Sequence, residues 1–257
     1  MPENNNAISW AAAFYANTLA SFIMNAQPRI KAVFDSWRLQ GGTKETFLSN
    51  LQKNQEVKNI LLSESPWVME AKTEAEQKER IATLFDLNNI RNNNITALTR
   101  LKELQQSDGS WAWFKGMNGS RYITDYVAVL NARLALLTGK PLEGEALSMQ
   151  RAAFGFLSKE AVEEYKNILK AEKNGNKVNG LSREALNYLY LVAITGEKVP
   201  ANAQTAYNYF LSKVTGMLTI RSMADKALAA IVLDKAGHKK EAQEFVASLK
   251  EFLTKTD

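Results

Sequence analysis

Cysteine is absent from the 257 residues, and histidine occurs once, at His238. The first absence excludes disulfides, thiolate metal sites and thiol nucleophiles. The second excludes a multi-histidine metal site and leaves little room for a histidine-dependent triad. Glycine and proline are sparse, at 13 and 5 residues, so the chain is neither collagen-like nor of low complexity. No apolar run approaches the ~18 residues that a membrane span needs, and no membrane insertion by this chain is expected. The opening Met1-Pro2-Glu3-Asn4-Asn5-Asn6 lacks the basic and apolar regions of a signal peptide. There is no G-x-S-x-G elbow, P-loop or dinucleotide fingerprint.

What remains is an ordinary globular balance, 46% hydrophobic and 23% charged. The net charge of +5 comes from 32 Lys and Arg against 27 Asp and Glu. The two signs alternate, as in Lys72, Glu74, Glu76, Lys78, Glu79 and Arg80. A nucleic-acid protein would concentrate its basic residues on one face or arm. The pattern reads instead as a solvated helical surface, and no nucleic-acid partner is expected.

The periodicity is helical nearly everywhere. Ile8, Ala12, Tyr15, Leu19, Phe22 and Ile23 fall on one stripe at spacings of three and four. Pro28 opens a second helix, which Gly41-Gly42 ends. Shorter helices are expected near 43–54 and 55–63, and another from Ser65-Pro66 to Asp86. Asn92-Asn93-Asn94 reads as a polar break, with Asn94 capping a helix whose apolar face holds Leu98, Leu101 and Leu104. Thr124 or Asp125 is expected to open the helix that stops at Gly139-Lys140-Pro141. Six further helices are expected near 144–156, 158–173, 182–195, 201–215, 222–236 and 240–254. Strand alternation is not comparably convincing anywhere. Helices of this length joined by short turns pack as antiparallel hairpins. Sequence repetition is weak, which favours a toroid over a regular solenoid.

One stretch carries a specific motif. Gln105-x-x-x-Gly109-x-Trp111 lies at the head of a loop, Ser107 to Arg121, with three aromatics and three glycines. Gln105, near a helix end, can bond backbone groups of the following turn that the helix leaves unsatisfied. Gly109 permits a tight or left-handed turn. Trp111 would fold back over the helix end and bury a large surface. The motif therefore reads first as a connector brace. If Trp111 alone closes the turn, Trp113 or Phe114 is free to project outward as a contact anchor.

With its surroundings, Gln105-Gln106-Ser107-Asp108-Gly109-Ser110-Trp111-Ala112-Trp113-Phe114-Lys115-Gly116, followed by Tyr122-Ile123-Thr124-Asp125-Tyr126-Val127, the motif resembles the thioester-domain signature of the alpha-2-macroglobulin family, LQ-x-x-DG-x-W-x-WF-x-G. Phe14-Tyr15-Ala16-Asn17 resembles the helix that follows the thioester motif in bacterial members. Ser63-Glu64-Ser65-Pro66-Trp67-Val68 and Leu84-Phe85-Asp86-Leu87-Asn88 resemble a segment of one bacterial branch. The resemblance covers roughly residues 4–140. It implies an α/α toroid within a large secreted, periplasmic or cell-surface protein that traps proteases. Family members also acylate the attacker through a thioester joining the Cys and Gln of a C-x-E-Q motif. Here that tetrad falls near Asn6-Ala7-Ile8-Ser9, with Asn6 at the Cys position and Ser9 at the Gln position. Without cysteine no such thioester can form. What the resemblance still implies is a non-enzymatic, non-covalent inhibitor domain whose partners are the parent protein's other domains and target proteases.

Other chemistry is weaker. Triterpene cyclases share the Gln-Gly-Trp words but use an Asp-rich motif, and here Asp108 and Asp125 are isolated and read as turn or helix-opening residues. The Asp, Cys and His zinc set of prenyltransferase toroids cannot be assembled, and no metal or cofactor is expected. A glycosidase pair of carboxylates is not singled out by any spacing. Glu163-Glu164 reads as solvated surface, and His238 as an exposed turn. Tyr188, Tyr190, Tyr207, Tyr209 and Phe210 read as packing residues. A toroidal enzyme or a carbohydrate- or lipid-binding module of the cyclase or glycosidase type is the alternative. The expectation is one all-α domain over 1–257, with 38–93 a helical insertion. Because the hairpin pattern stops at Asp257 short of a full ring, the chain is expected to be a piece of a longer protein.

Overall fold

The computed structural model describes residues 2, 4–26, 73, 87–176, 180–219 and 222–251. Eight α-helices lie among them: α1 (Ala7–Ala26), α2 (Leu87–Leu104), α3 (Arg121–Thr138), α4 (Gly144–Lys173), α5 (Arg183–Thr195), α6 (Gln204–Val214), α7 (Met223–Lys235) and α8 (Lys239–Lys250). Among the described residues there is no β-strand, only two isolated bridges. The fold is all-α, as the periodicity predicts. No helix among the described residues is long and apolar enough to cross a membrane.

The chain divides into two compact units, one of Ala12–Ala97 and one of Pro2–Ala11 with Leu98–Asp257. In the first, Phe14, Ile90 and Ala97 are buried, and Thr18 Oγ1 donates to Asn94 Oδ1 at 3.1 Å. The expected helices from Pro28 to Asp86, the words at 63–68 and 84–86, and most of the 38–93 insertion lie outside the described residues.

The second unit is built from hairpins. Within it α5 is the hub and packs against α3, α4, α6 and α7. Helices α3, α5 and α7 touch in sequence and form one row. Helices α4 and α6 touch behind them, and α8 pairs with α7. Three hairpins, α3–α4, α5–α6 and α7–α8, thus stack side by side. Their shared core holds Leu157, Leu186, Leu189, Leu191, Phe210 and Phe245, all at most 1% exposed. Serine caps set the starts of the front row. Ser120 Oγ accepts from Ile123 N, Ser182 Oγ from Ala185 N, and Ser222 Oγ from Asp225 N. An ion pair between Arg183 and Asp225 joins the first turns of α5 and α7.

Four local expectations are corrected. Helix α2 runs straight through Asn92-Asn93-Asn94 instead of starting there. Asn94, inside the helix, accepts the Thr18 bond rather than capping. Helix α3 starts at Arg121 behind the Ser120 cap, so Thr124 and Asp125 are interior residues. The helices expected at 144–156 and 158–173 are one helix of 30 residues. In α1 the buried positions are Ala7, Trp10, Ala11 and Phe14. Ile23, expected on the apolar stripe, is 46% exposed. The buried face is rotated by one residue, about 100° on a helix, because the small Ala7 and Ala11 are what fit.

Gly155 lies inside α4 without a packing reason, since a β-carbon built on it meets nothing within 4 Å. Gly155→Ala should raise the unfolding free energy by about 0.4–1 kcal/mol, because it removes unfolded-chain entropy at no steric cost. Urea denaturation at matched slope reads this directly. A lowered midpoint would mean that the helix needs the glycine.

Candidate functional site

The connector from α2 to α3 is where the motif residues meet. Helix α2 ends at Leu104, and its last carbonyls lack intrahelical partners. Trp111 supplies one. Its indole Nε1 donates to Leu101 O at 2.8 Å, and the side chain is completely buried. Gln105 Nε2 donates to Gly109 O at 3.0 Å and to Met149 O of α4 at 2.9 Å. One amide group therefore holds the turn closed and ties it to the next hairpin.

Gly109 has a φ of +92°, and a β-carbon there would stand 2.2 Å from Ala152 O. Both the backbone conformation and the contact with α4 demand glycine. Asp108 shapes the same turn. Its Oδ1 accepts from Ser110 N at 2.9 Å and Ser110 Oγ at 2.7 Å. The Ser110 hydroxyl and amide together hold the Asp108 carboxyl below its ordinary range.

Beyond the turn, Trp111 pairs with Gln105 on one side and Ser120 on the other. Trp111 N donates to Thr124 Oγ1 at 2.8 Å, and that hydroxyl donates to Ser120 O at 2.8 Å. Thr124 is completely buried. The sequence reading missed the roles of Ser120 and Thr124. It missed Gly119 too, where a β-carbon would stand 1.9 Å from Ser110 Oγ. The signal was a serine one residue before the arginine that opens α3.

The three remaining motif residues face outward. Trp113 and Phe114 are 42% and 46% exposed, with ring centroids 6.4 Å apart. Gly116 adopts a φ of +86° in the turn that Met117 N closes on Phe114 O at 3.2 Å. Met117 is also exposed.

The N-terminal segment docks on this connector. Ala7 N donates to Trp113 O at 3.1 Å. Asn6 is buried, and its Oδ1 accepts from Ser9 N at 2.8 Å. This is a helix N-cap, and α1 begins at the next residue. Trp10 Nε1 donates to Asn5 Oδ1 at 2.6 Å. Asn6 and Ser9, the positions at which the resemblance places the thioester pair, are thus bonded to each other, and Asn6 precedes the residue that contacts the motif loop.

A second cluster sits at the start of α3. Asp125 is 2% exposed, and neither carboxylate oxygen has a hydrogen-bond partner. Burial pushes its pKa up to about 7; Arg121 pulls it down and Glu184 and Glu164 add to the rise. Arg121 Nη2 lies 2.8 Å from Glu164 Oε2, and both side chains are under a fifth exposed. Two expectations are corrected here. Asp125 is an interior carboxyl rather than a helix-opening residue, and Glu164 is half of a sheltered ion pair rather than solvated surface. Glu163 does face water, paired with Lys166 at 2.7 Å. His238 is exposed at the turn before α8. Tyr188, Tyr190 and Phe210 are buried, while Tyr207 and Tyr209 are partly so. Among the described residues no three His, Asp or Glu side chains converge as a metal site.

The chain matches no protein-family model, no curated protein and no solved structure.

Trp111→Ala removes a fully buried indole and strands Leu101 O. It should cost about 3–5 kcal/mol, read as a loss in the thermal or chemical midpoint. An unchanged midpoint would remove the brace. The Asp125 carboxyl gives a pH signature. Its folded pKa lies above the ordinary 3.8, so the folded chain holds a proton that the unfolded chain releases between about pH 4 and 7. This contribution therefore stabilises at low pH and is lost as pH rises towards 7. Relative to Asp125→Asn, the parent chain should lose on the order of a few kcal/mol of stability between pH 4.5 and 8. Parallel curves for the two proteins would show that Asp125 ionises normally.

Proposed function

We propose that this chain is a thioester-less domain of an alpha-2-macroglobulin-like endopeptidase inhibitor. It acts by non-covalent trapping within a larger periplasmic or cell-surface protein. The observation that carries the reading is the contact between the place where the family's thioester would fall and the segment that resembles its signature. The Asn6–Ser9 tetrad, where the family would hold its thioester, bonds through Ala7 N to Trp113 O of the Gln105–Gly116 signature. Two words a hundred residues apart in sequence form one local structure. Where an acylating bond would have to be sheltered, this chain holds an Asn6 cap, which has no electrophile. Stacked helical hairpins are also the unit from which an α/α toroid is built, which supports the reading.

On this reading the domain is a wall of the trap. The exposed pair Trp113 and Phe114 offers rigid aromatic area of the sort that dominates protein contacts. Its neighbours are the other domains of the parent chain and the captured protease.

The parent protein should run several times larger than 28.7 kDa in the periplasmic or membrane fraction. After cleavage by trypsin it should retain the protease on a native gel and release it in denaturing detergent. Trp113→Ala with Phe114→Ala should lower retention several-fold without moving the melting midpoint, since both rings are exposed. A cytosolic band near the mass of this chain, or free trypsin on the native gel, would end the inhibitor reading.

A further inference from the structure

An asparagine followed by glycine is the pair in which a side-chain amide most readily closes on the backbone, because glycine puts no side chain in the path of its own nitrogen. Two such pairs lie wholly among the described residues, Asn118–Gly119 in the connector from α2 to α3 and Asn174–Gly175 after α4. Both asparagines are exposed, and their surroundings differ. Gly175 N donates to Glu172 O at 3.0 Å, and Asn174 N donates to Lys170 O and Ala171 O at 3.3 and 3.1 Å. That turn continues the helix, and the nitrogen that would attack is already engaged. At the other pair, no described residue accepts a hydrogen bond from Gly119 N, and none bonds the Asn118 side chain. The side-chain amide can turn, and the nitrogen beside it is not held by a partner.

The connector makes the consequence local. On one side Met117 O accepts from Gln106 Nε2 at 2.6 Å, and Met117 N donates to Phe114 O at 3.2 Å. On the other side Ser120 N donates to Trp111 O at 2.9 Å, and Ser120 Oγ caps α3 at Ile123 N. Between these two held ends Gly119 lies against Ser110, where a β-carbon would stand 1.9 Å from Oγ. Asn118 and Gly119 thus bridge a span whose ends are both fixed.

We propose that Asn118 is a site of spontaneous covalent modification, with water as the co-reactant, and that its β-linked product loosens the start of α3. Gly119 N attacks Cγ of Asn118. The bond from Cγ to Nδ2 breaks, the amide proton of Gly119 leaves with that nitrogen as ammonia, and a cyclic imide forms. Water then opens the imide at either carbonyl. One opening restores the ordinary backbone with an aspartyl side chain. The other routes the backbone through Cγ as an isoaspartyl link, which adds a methylene to the chain. The ordinary product places negative charge two residues before the Ser120 cap, on the side of α3 where the helix dipole favours it. The isoaspartyl product lengthens a span with fixed ends, so Ser120 must leave Trp111 O or the cap. The site stands apart from the inhibitor reading, since it needs neither a protease nor another domain.

The test ages the full chain in mildly alkaline buffer, folded and in urea, and maps it with trypsin. Cleavage after Lys115 and Arg121 isolates Gly116–Arg121, and cleavage after Lys173 and Lys177 isolates Asn174–Lys177. The pair Asn179–Gly180 falls in a third peptide. In the folded chain Gly116–Arg121 should exchange its side-chain amide for a carboxyl and split into aspartyl and isoaspartyl forms. It should do so at least about fivefold faster than Asn174–Lys177, the rate ratio that the net free energy of one hydrogen bond supports. In urea the two rates should draw together. The modified chain should melt at a lower midpoint, Asn118→Gln should keep its midpoint on ageing, and fresh Asn118→Asp should match the fresh parent. Equal rates in the folded chain, an unmodified Gly116–Arg121, or the same ratio in urea would overturn the assignment of the site. A midpoint loss in aged Asn118→Gln or in fresh Asn118→Asp, or none in the modified parent, would overturn the effect of the β-link.

Discussion

The bond from the Trp111 indole to Leu101 O fixes how the second unit begins. A helix that ends against a neighbour leaves carbonyls that water cannot reach. Trp111 satisfies one of them and fills the space with the same side chain. Because the indole must lie over the last turn of α2, the backbone at 111 is set beside Gln105 and Ser120. Ser120 then caps α3, and Thr124 locks that cap to Trp111 N. Gln105 extends the constraint to Met149, in the second turn of α4. Four segments are registered by one aromatic residue and one amide. The glycine at 109 is the corollary, since α4 approaches so closely that no β-carbon fits.

The sequence was most legible where one residue type has one structural use. Gln105, Gly109 and Trp111 could be assigned roles because a buried amide, a left-handed turn and a folded-back indole are narrow solutions. Two of the front-row helices, α5 and α7, start where the periodicity expects them, behind the caps Ser182 and Ser222. Legibility failed where tertiary contact overrides local preference. Three consecutive asparagines favour a break, yet α2 continues because its flanks, Ile90 and Ala97, are buried. A break between 156 and 158 was expected in α4. Ser158 instead donates to Phe154 O and meets Tyr188 OH at 3.0 Å, so its polarity is absorbed without ending the helix. The face of α1 was misread by one residue: Ala7, Trp10, Ala11 and Phe14 are the buried set.

The interior polar groups were the least legible. Asp125, Asn131 and Gln150 look like surface residues in sequence, and all three are under 5% exposed. They lie along the α3–α4 seam, which also holds the Arg121–Glu164 pair. Periodicity assigns a face only when polar residues avoid it. Here the buried face of α3 carries Thr124, Asp125 and Asn131 among its apolar residues. Such groups cost stability unless they are paired, so their presence marks a seam shaped by more than packing.

On the proposed reading, the N-terminal segment lies where the family's thioester would fall. A thioester between positions three apart needs a thiolate and an amide brought together at the start of a helix. Asn6 and Ser9 have that spacing and that location, and they do come together. The contact they make is a side-chain oxygen accepting from a backbone amide. That is the commonest way to satisfy the first turn of a helix, and it is stable rather than reactive. Asn6 cannot supply the thiol, nor Ser9 the carboxamide, that a thioester joins. On the proposed reading, the loss of the cysteine therefore did not leave a hole in the fold. Asn6 caps the helix, and Ala7 bonds to Trp113 O, so the segment is structured with no covalent link.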